Sequence, residues 1–480
     1  MNSVWNESCK FEKRNSLDKD IETDVLIIGA GIVGLLTGYL LKEQGINAMI
    51  IDAKKICSGN TKNTTAKITS QHDLIYDKII KEYGEDRAKQ YAEANEAAIK
   101  KYKEIIEKNY IDCNFEEKDA YIYSFEKDDR LQKELDAALK AGIKAKIVYE
   151  TDLPFEVNEA LMFENQAQFN PLKFLKAISN DLDIYENTMA QEIKDDVVTT
   201  DKGKIKANHI VVATHYPFIN APGYYFLRMH QERSYVIALE NASNVNGMYI
   251  DLNEKGFSFR NYENLLLIGG GSVRTGENKN GGAYAKIRKK AWELFPDAKE
   301  VYHWAAQDCI TPDGIPYIGQ YASNTPNLYV ATGFNKWGMT SSMVSAQIIS
   351  DMILGKENEL SHIFSPHRFD FSAYINQLVK DGAETVKNFT MQKIYIPLEN
   401  RRHIKVGEAD IVEYEGRKVG VYRDSEEKYH MVSTKCSHLG CQLQWNADDL
   451  TWECPCHGSR YDYNGNWIEG PSIHNIENDK

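Results

Sequence analysis

The chain has 480 residues, room for about three folding units, and 42% of them are hydrophobic, so each unit can bury a core. Lys and Arg number 57 against 70 Asp and Glu, a net charge of -13 that sets the surface against nucleic-acid phosphates and anionic lipid. No run approaches the roughly 18 uninterrupted apolar residues of a membrane span, and the opening MNSVWNESCKFEKRNSLDKD lacks the apolar core of a secretory signal. The expectation is therefore a globular cytoplasmic protein with no nucleic-acid partner and no membrane span.

A polar arm over residues 1–21 precedes DVLII at 24–28, a helix-like stretch to Gly45 and the strand-like NAMIID, which together predict a β-α-β unit. From Asp73 to Lys108 apolar residues recur at helical spacing, and 126–142 is a second amphipathic helix closed by Gly142. Residues 184–270 turn strand-rich: DVVTTDKGKIKANHIVVAT predicts a hairpin turning at Lys202-Gly203 before a buried strand, and NLLLIGGG predicts another strand. LYVATGF at 328–334 and a helix from about Met339 to Leu354 return to the style of the first unit. Residues 355–395 suit a polar connector, and short strands and turns follow from Ile394.

Gly29-Ala30-Gly31-Ile32-Val33-Gly34 directly follows a strand and opens a helix, and Asp52 ends the next strand. In that context a GxGxxG motif predicts dinucleotide binding. Gly29 makes the tight turn, Gly31 lets backbone approach a pyrophosphate, and Gly34 packs helix against strand. The phosphates rest on the helix N-terminus, and Asp52 accepts from a ribose hydroxyl. No second motif of this spacing occurs, since IGGGSVRTG at 268–276 does not fit it, so one dinucleotide site is expected.

With SGNTKNTTAKIT at 58–69, FNPLKF at 169–174, IVVAT at 210–214, WAAQDCITPDGIPYIG at 304–319 and ATGFNKWGMTSS at 331–342, the chain resembles the FAD-dependent D-amino-acid oxidase, glycine oxidase and sarcosine oxidase family over about residues 22–375. The resemblance implies an α/β fold, a Rossmann-like FAD-binding domain interleaved with a sheet-based substrate domain. It also implies FAD contacts from Ser58, Thr64, Thr65 and Ala66 along pyrophosphate and flavin, and from Gly333, Gly338, Met339 and Thr340 at the pyrimidine edge of the ring. Lys67 and His72 are candidates to touch flavin or substrate, and Arg260 to clamp a substrate carboxylate. Two positions depart from the family pattern. His215 replaces the usual glycine after the central strand, and Cys309 lies closer to Thr311-Pro312-Asp313 than the family's covalent flavin cysteine, so noncovalent FAD is expected.

Four of the eight cysteines, Cys436, Cys441, Cys454 and Cys456, fall near the C-terminus. Cys436-Ser437-His438 and Cys454-Pro455-Cys456-His457 place one Cys and one His on each of two loops, which departs from common structural zinc spacings and suits a two-iron cluster held by two thiolates and two imidazoles. Residues 394–480 resemble a Rieske [2Fe-2S] domain, a small all-β unit with Cys436, His438, Cys454 and His457 as ligands, joined by a linker at 376–393. That resemblance further implies a Cys441–Cys456 disulfide between the cluster loops, and Ser459 and Tyr461 hydroxyls donating to sulfur, which raises the potential.

A Rieske oxygenase would need a catalytic domain after the cluster, and only 23 residues follow His457. The combination implies an FAD-dependent oxidoreductase acting on an amine, amino acid or N-methylated amine. Electrons would pass from flavin to its own cluster and on to an external protein or quinone acceptor. The alternative is an electron-transfer or redox-sensing protein that turns over no small molecule.

Overall fold

The computed structural model describes residues 2–253, 255–368, 404–414 and 416–477. The expected linker at 376–393, and the domain edges at 375 and 394, lie outside the described residues.

The apolar strand Ile21–Ile28 buries its last four residues and pairs in parallel with Ala48–Ile51 on one side and Lys204–Val212 on the other. An eight-stranded sheet grows from these strands, six of them in the order Tyr317–Gln320, Leu328–Thr332, Lys204–Val212, Ile21–Ile28, Ala48–Ile51, Asp183–Tyr185, while Val197–Thr200 pairs with Lys204–Val212 and carries Ala190–Lys194 on its other side. Strands buried on both faces read as continuous apolar runs, as Ala48–Ile51 and the last four residues of Ile21–Ile28 do. The crossover helix Ile32–Glu43 starts at Gly31 and fits closely because Gly34 carries no side chain, for a Cβ there would lie 1.9 Å from the Gly29 carbonyl oxygen. Gly29 itself takes φ 113°, a conformation that favours glycine.

A second, nine-stranded sheet is built around the long strands His230–Glu240, Leu265–Arg274 and Lys299–Ile310. Its Leu266, Ile237 and Phe259 are fully buried. The hairpin foreseen at Lys202-Gly203 forms between Val197–Thr200 and Lys204–Val212. The helical stretch foreseen from Asp73 to Lys108 is instead two helices, Ile75–Tyr83 and Glu85–Lys108, because Gly84 at φ 88° ends the first. The N-terminal arm is more ordered than its polarity suggests. It forms the short helix Val4–Ser8, whose Trp5 is fully buried and donates from Nε1 to the Thr64 carbonyl at 2.7 Å. Among the described residues no helix is long and apolar enough to cross a membrane.

The C-terminal unit has a three-stranded and a four-stranded antiparallel sheet over a core that includes Trp445, Trp452 and Tyr461. It is bound to the nine-stranded sheet through buried charge. Arg233 Nη2 lies 2.5 Å from Asp449 Oδ2, and the same guanidinium lies 3.7 Å from Glu453 and 3.8 Å from Glu469, carboxylates that Arg460 of the C-terminal unit also pairs. Burial alone would push the Glu469 carboxyl up, but Arg460 and Arg233 hold it at about 2. Contact is close throughout, and a Cβ on Gly276 would come 2.8 Å from Pro455 backbone atoms.

Removing one member of such a cluster leaves buried charge uncompensated, at a cost of about 3–5 kcal/mol. Arg233→Leu should therefore lower the unfolding transition of the C-terminal unit in denaturant while leaving that of the N-terminal unit in place. An unchanged profile would show that these charges do not hold the interface.

Candidate functional site

One cavity of about 1640 Å³ runs between the two large sheets, more than the roughly 300–1,000 Å³ of an ordinary small-molecule pocket. Gly29, Gly31, Asp52, Ser58, Thr64, Thr65, Gly338 and Met339 all line it. Gly34, Ala66, Gly333 and Thr340 stand behind this lining and shape it. Ala66 has φ 56° and Gly333 has φ 74°, and the Thr340 hydroxyl donates to the Thr69 carbonyl at 3.0 Å. Asp52 accepts from the amides of Ala30 and Lys54, both at 2.8 Å. Burial pushes its carboxyl up and these two amides pull it down.

The bare glycine turn, the helix N-terminus and the carboxylate facing the cavity fit the pyrophosphate and ribose of an extended dinucleotide. His215 also lines this cavity, at φ 66°, and its buried Nε2 has no hydrogen-bond partner. Cys309 is buried outside the lining, its Sγ 3.6 Å from the His215 carbonyl.

The three candidate catalytic residues separate. Lys67 lines the cavity, and burial, aided by the nearby Arg260 charge and opposed by Asp73, lowers its ammonium to about 7. His72 borders the cavity, but both ring nitrogens are occupied. Nδ1 pairs with the Tyr91 hydroxyl at 2.6 Å, and Nε2 with the Thr69 carbonyl at 2.7 Å and the Thr340 hydroxyl at 3.0 Å. Burial takes its pKa down to about 3, so it ties the 69–72 turn to the helix Gly338–Ile353 rather than carrying protons. Arg260 is not in the cavity lining. Its Nη1 donates to the carbonyls of Thr65 at 2.6 Å and Ala66 at 2.9 Å, bracing the loop from behind, while its buried Nε and Nη2 have no hydrogen-bond partner among the described residues.

In the C-terminal unit the thiols of Cys436 and Cys454 lie against each other, as do the rings of His438 and His457. The Nδ1 atoms of His438 and His457 are buried without a hydrogen-bond partner, and their rings lie 5.1 Å apart. Burial lowers the two imidazoles to about 4 and about 3, which keeps them neutral, as metal ligation requires. The Cys436 thiol is pulled to about 6, chiefly by its hydrogen bond with the Cys454 thiol. Cys441 and Cys456 form the expected disulfide. The Tyr461 hydroxyl sits 3.5 Å from Cys436 Sγ, and Ser459 hydrogen-bonds the same thiol. This donor set fits a cluster with two thiolate and two imidazole ligands.

The N-terminal unit supplies several neighbours that no local motif marks. Asn220 Oδ1 accepts from His438 Nε2 at 2.6 Å, and the Phe226 ring packs edge-on against both histidines. Gln231 and Gln307 reach the backbone of the His457 loop. In return the C-terminal unit supplies Trp467–Ile473 to the wall of the large cavity, and the Ile468 carbonyl accepts from Lys54 Nζ at 2.6 Å.

Comparison with known proteins agrees with this geometry. The profile of the FAD dependent oxidoreductase family matches residues 24–352, and that of the Rieske [2Fe-2S] domain matches residues 395–478. A putative Rieske 2Fe-2S iron-sulfur protein, YhfW of Bacillus subtilis, is 38% identical over 98% of this chain and 96% of its own length. Gamma-glutamylputrescine oxidoreductase of Escherichia coli is 22% identical over 82% of this chain and 96% of its own. Among solved structures, glycine oxidase of Geobacillus kaustophilus superposes with a TM-score of 0.62 at 19% identity, covering 73% of this chain and 99% of its own, which shows a common fold.

Proposed function

Because the chain belongs to the FAD dependent oxidoreductase family and carries a Rieske [2Fe-2S] domain, we propose that it is a dehydrogenase for an amine, amino acid or N-methylated amine. Its electrons leave the flavin through the chain's own cluster for an external protein or quinone acceptor. The observation that carries this reading is the shared wall: the cavity that begins at the glycine turn ends on Trp467–Ile473 of the Rieske domain. The names of the relatives, glycine oxidase and gamma-glutamylputrescine oxidoreductase, favour an amine as the substrate class.

Bound in this cavity, FAD supplies a two-electron hydride acceptor and the cluster a one-electron carrier. The protein's own part is to bind the amine, free its lone pair and exclude water. Glu232 and Asp308, register partners on paired strands, both line the cavity. Lys336 matches Glu232 at 2.8 Å, whereas Asp308 is in no ion pair among the described residues, which suits attraction of a cationic amine. Lys67, largely neutral above pH 7, takes the ammonium proton and leaves the neutral amine that hydride transfer requires. Leu74, Ile75 and Trp337 line the same cavity and help keep water from the reacting atoms.

Anaerobic spectra recorded with a panel of primary, secondary and N-methyl amines and amino acids test the reading. A substrate should bleach the flavin band and then remove the cluster absorbance. If no compound reduces either cofactor, the chain is an electron carrier and not a dehydrogenase.

With a substrate in hand, kcat/KM should rise with pH through an inflection near 7, because Lys67 accepts a proton only once it has lost its own. Lys67→Met should abolish that inflection and cost about 100-fold in kcat/KM. An unaltered pH profile would remove Lys67 from proton transfer.

A further inference from the structure

Two glutamines stand where the flavin domain meets the cluster, and both are almost fully buried, Gln231 at 2% and Gln307 at 1% exposure. Gln231 lies on His230–Glu240 and Gln307 on Lys299–Ile310, neighbouring strands of the nine-stranded sheet. Gln307 Nε2 donates to Gln231 Oε1 at 2.7 Å and to the Gly458 carbonyl at 2.9 Å. Gln231 Nε2 donates to the His457 carbonyl at 2.6 Å and to the Gly470 carbonyl at 3.2 Å. The Thr275 hydroxyl satisfies Gln307 Oε1 at 3.3 Å. Buried amides are tolerated only when hydrogen-bonded, and three of these bonds exist only while the Rieske domain is docked.

The same pair touches the cavity. Gln231 lines it directly, and Gln307 follows the lining residue Ala306 and donates its backbone N–H to Asn60 Oδ1 at 3.0 Å, on the loop expected to run along the cofactor. On the other side lies His457, the inner ligand, 7% exposed and covered by Phe226. His438, the other histidine ligand, is more exposed and has the 43% exposed Leu439 beside it. The fit is tight, since a Cβ on Gly458 would lie 2.6 Å from Gln231 Nε2.

We infer that Gln231 and Gln307 form the bridge by which electrons pass from the flavin cavity to the cluster, reaching it at the His457 loop. This rests on the proposed flow of electrons from flavin to cluster. Each substrate oxidised gives the flavin two electrons. These cross the bridge one at a time, and the external one-electron acceptor removes them in two successive steps. The bridge residues neither bind substrate nor ligate metal; they position the ligand loop and supply a continuous hydrogen-bonded contact.

The test uses the full chain loaded with FAD and cluster, with the flavin photoreduced anaerobically in the presence of EDTA and cluster reduction followed by absorbance and by EPR. Gln307→Leu should slow cluster reduction about tenfold, while Thr275→Val, which removes the hydroxyl at Gln307 Oε1 but leaves the three bonds to the Rieske domain, should stay within about twofold of the parent. EPR g-values, both midpoint potentials and resistance of the domain junction to protease should be unchanged in Gln307→Leu. Gln231→Met, which removes the contact to the His457 carbonyl, gives a second test should Gln307→Leu fail to assemble its cluster, with the same slowing expected. Equal rates in parent and variants would overturn the bridge alone. Slowing that comes with a shifted potential or a loosened junction would also overturn it, in favour of a structural role. If photoreduced flavin never reduces the cluster in the parent protein, the electron-flow reading fails together with the bridge.

Discussion

The arrangement of this protein depends on polar groups buried at one interface. Arg233, on the nine-stranded sheet, has its acidic partners Asp449, Glu453 and Glu469 on the Rieske domain, and Gln231 and Gln307 find much of their hydrogen bonding there as well. Desolvated charges and amides of this kind are costly to leave without partners. Docking is therefore built into the sheet itself: strands that form the roof of the cavity also present side chains that only the cluster domain can satisfy.

From that docking follow the features that give the two cofactors a common setting. The Rieske domain closes part of the dinucleotide cavity with Trp467–Ile473, and Lys54, next to the glycine-motif strands, reaches across to the Ile468 carbonyl and stacks over the Trp467 ring at 4.4 Å. FAD binds in the first unit and the [2Fe-2S] cluster in the second. Both histidines face the flavin-binding unit, His457 against Phe226 and His438 against Phe226 and Asn220, and His438 is the more exposed of the two.

The parts that were legible in the sequence are those whose physics is local. A glycine turn between strand and helix must be read from adjacent residues, because Gly34 is forced by the carbonyl of Gly29 just before it. The cluster ligands likewise lie on two short loops whose Cys and His spacing declares the chemistry. What was not legible depends on long-range contact. His72 looked like a candidate for the reacting centre, but its nitrogens are taken by Tyr91, Thr69 and Thr340, the last 268 residues away. Arg260 looked like a carboxylate clamp, yet its guanidinium braces carbonyls 194 and 195 residues earlier. Trp5 hid in a polar arm, and Gln231, Gln307 and Arg233 are polar strand positions whose partners lie on a second domain.

The claim at the centre is that one substrate molecule's electrons spread over both cofactors of a single chain. An anaerobic titration of the holoprotein with the amine that bleaches its flavin, counted against the Rieske EPR signal, addresses this most directly. Complete reduction should take up about three electrons per chain, two on FAD and one on the cluster. Uptake that stops at about two, with no Rieske signal appearing, would mean that flavin and cluster do not share electrons and would contradict it.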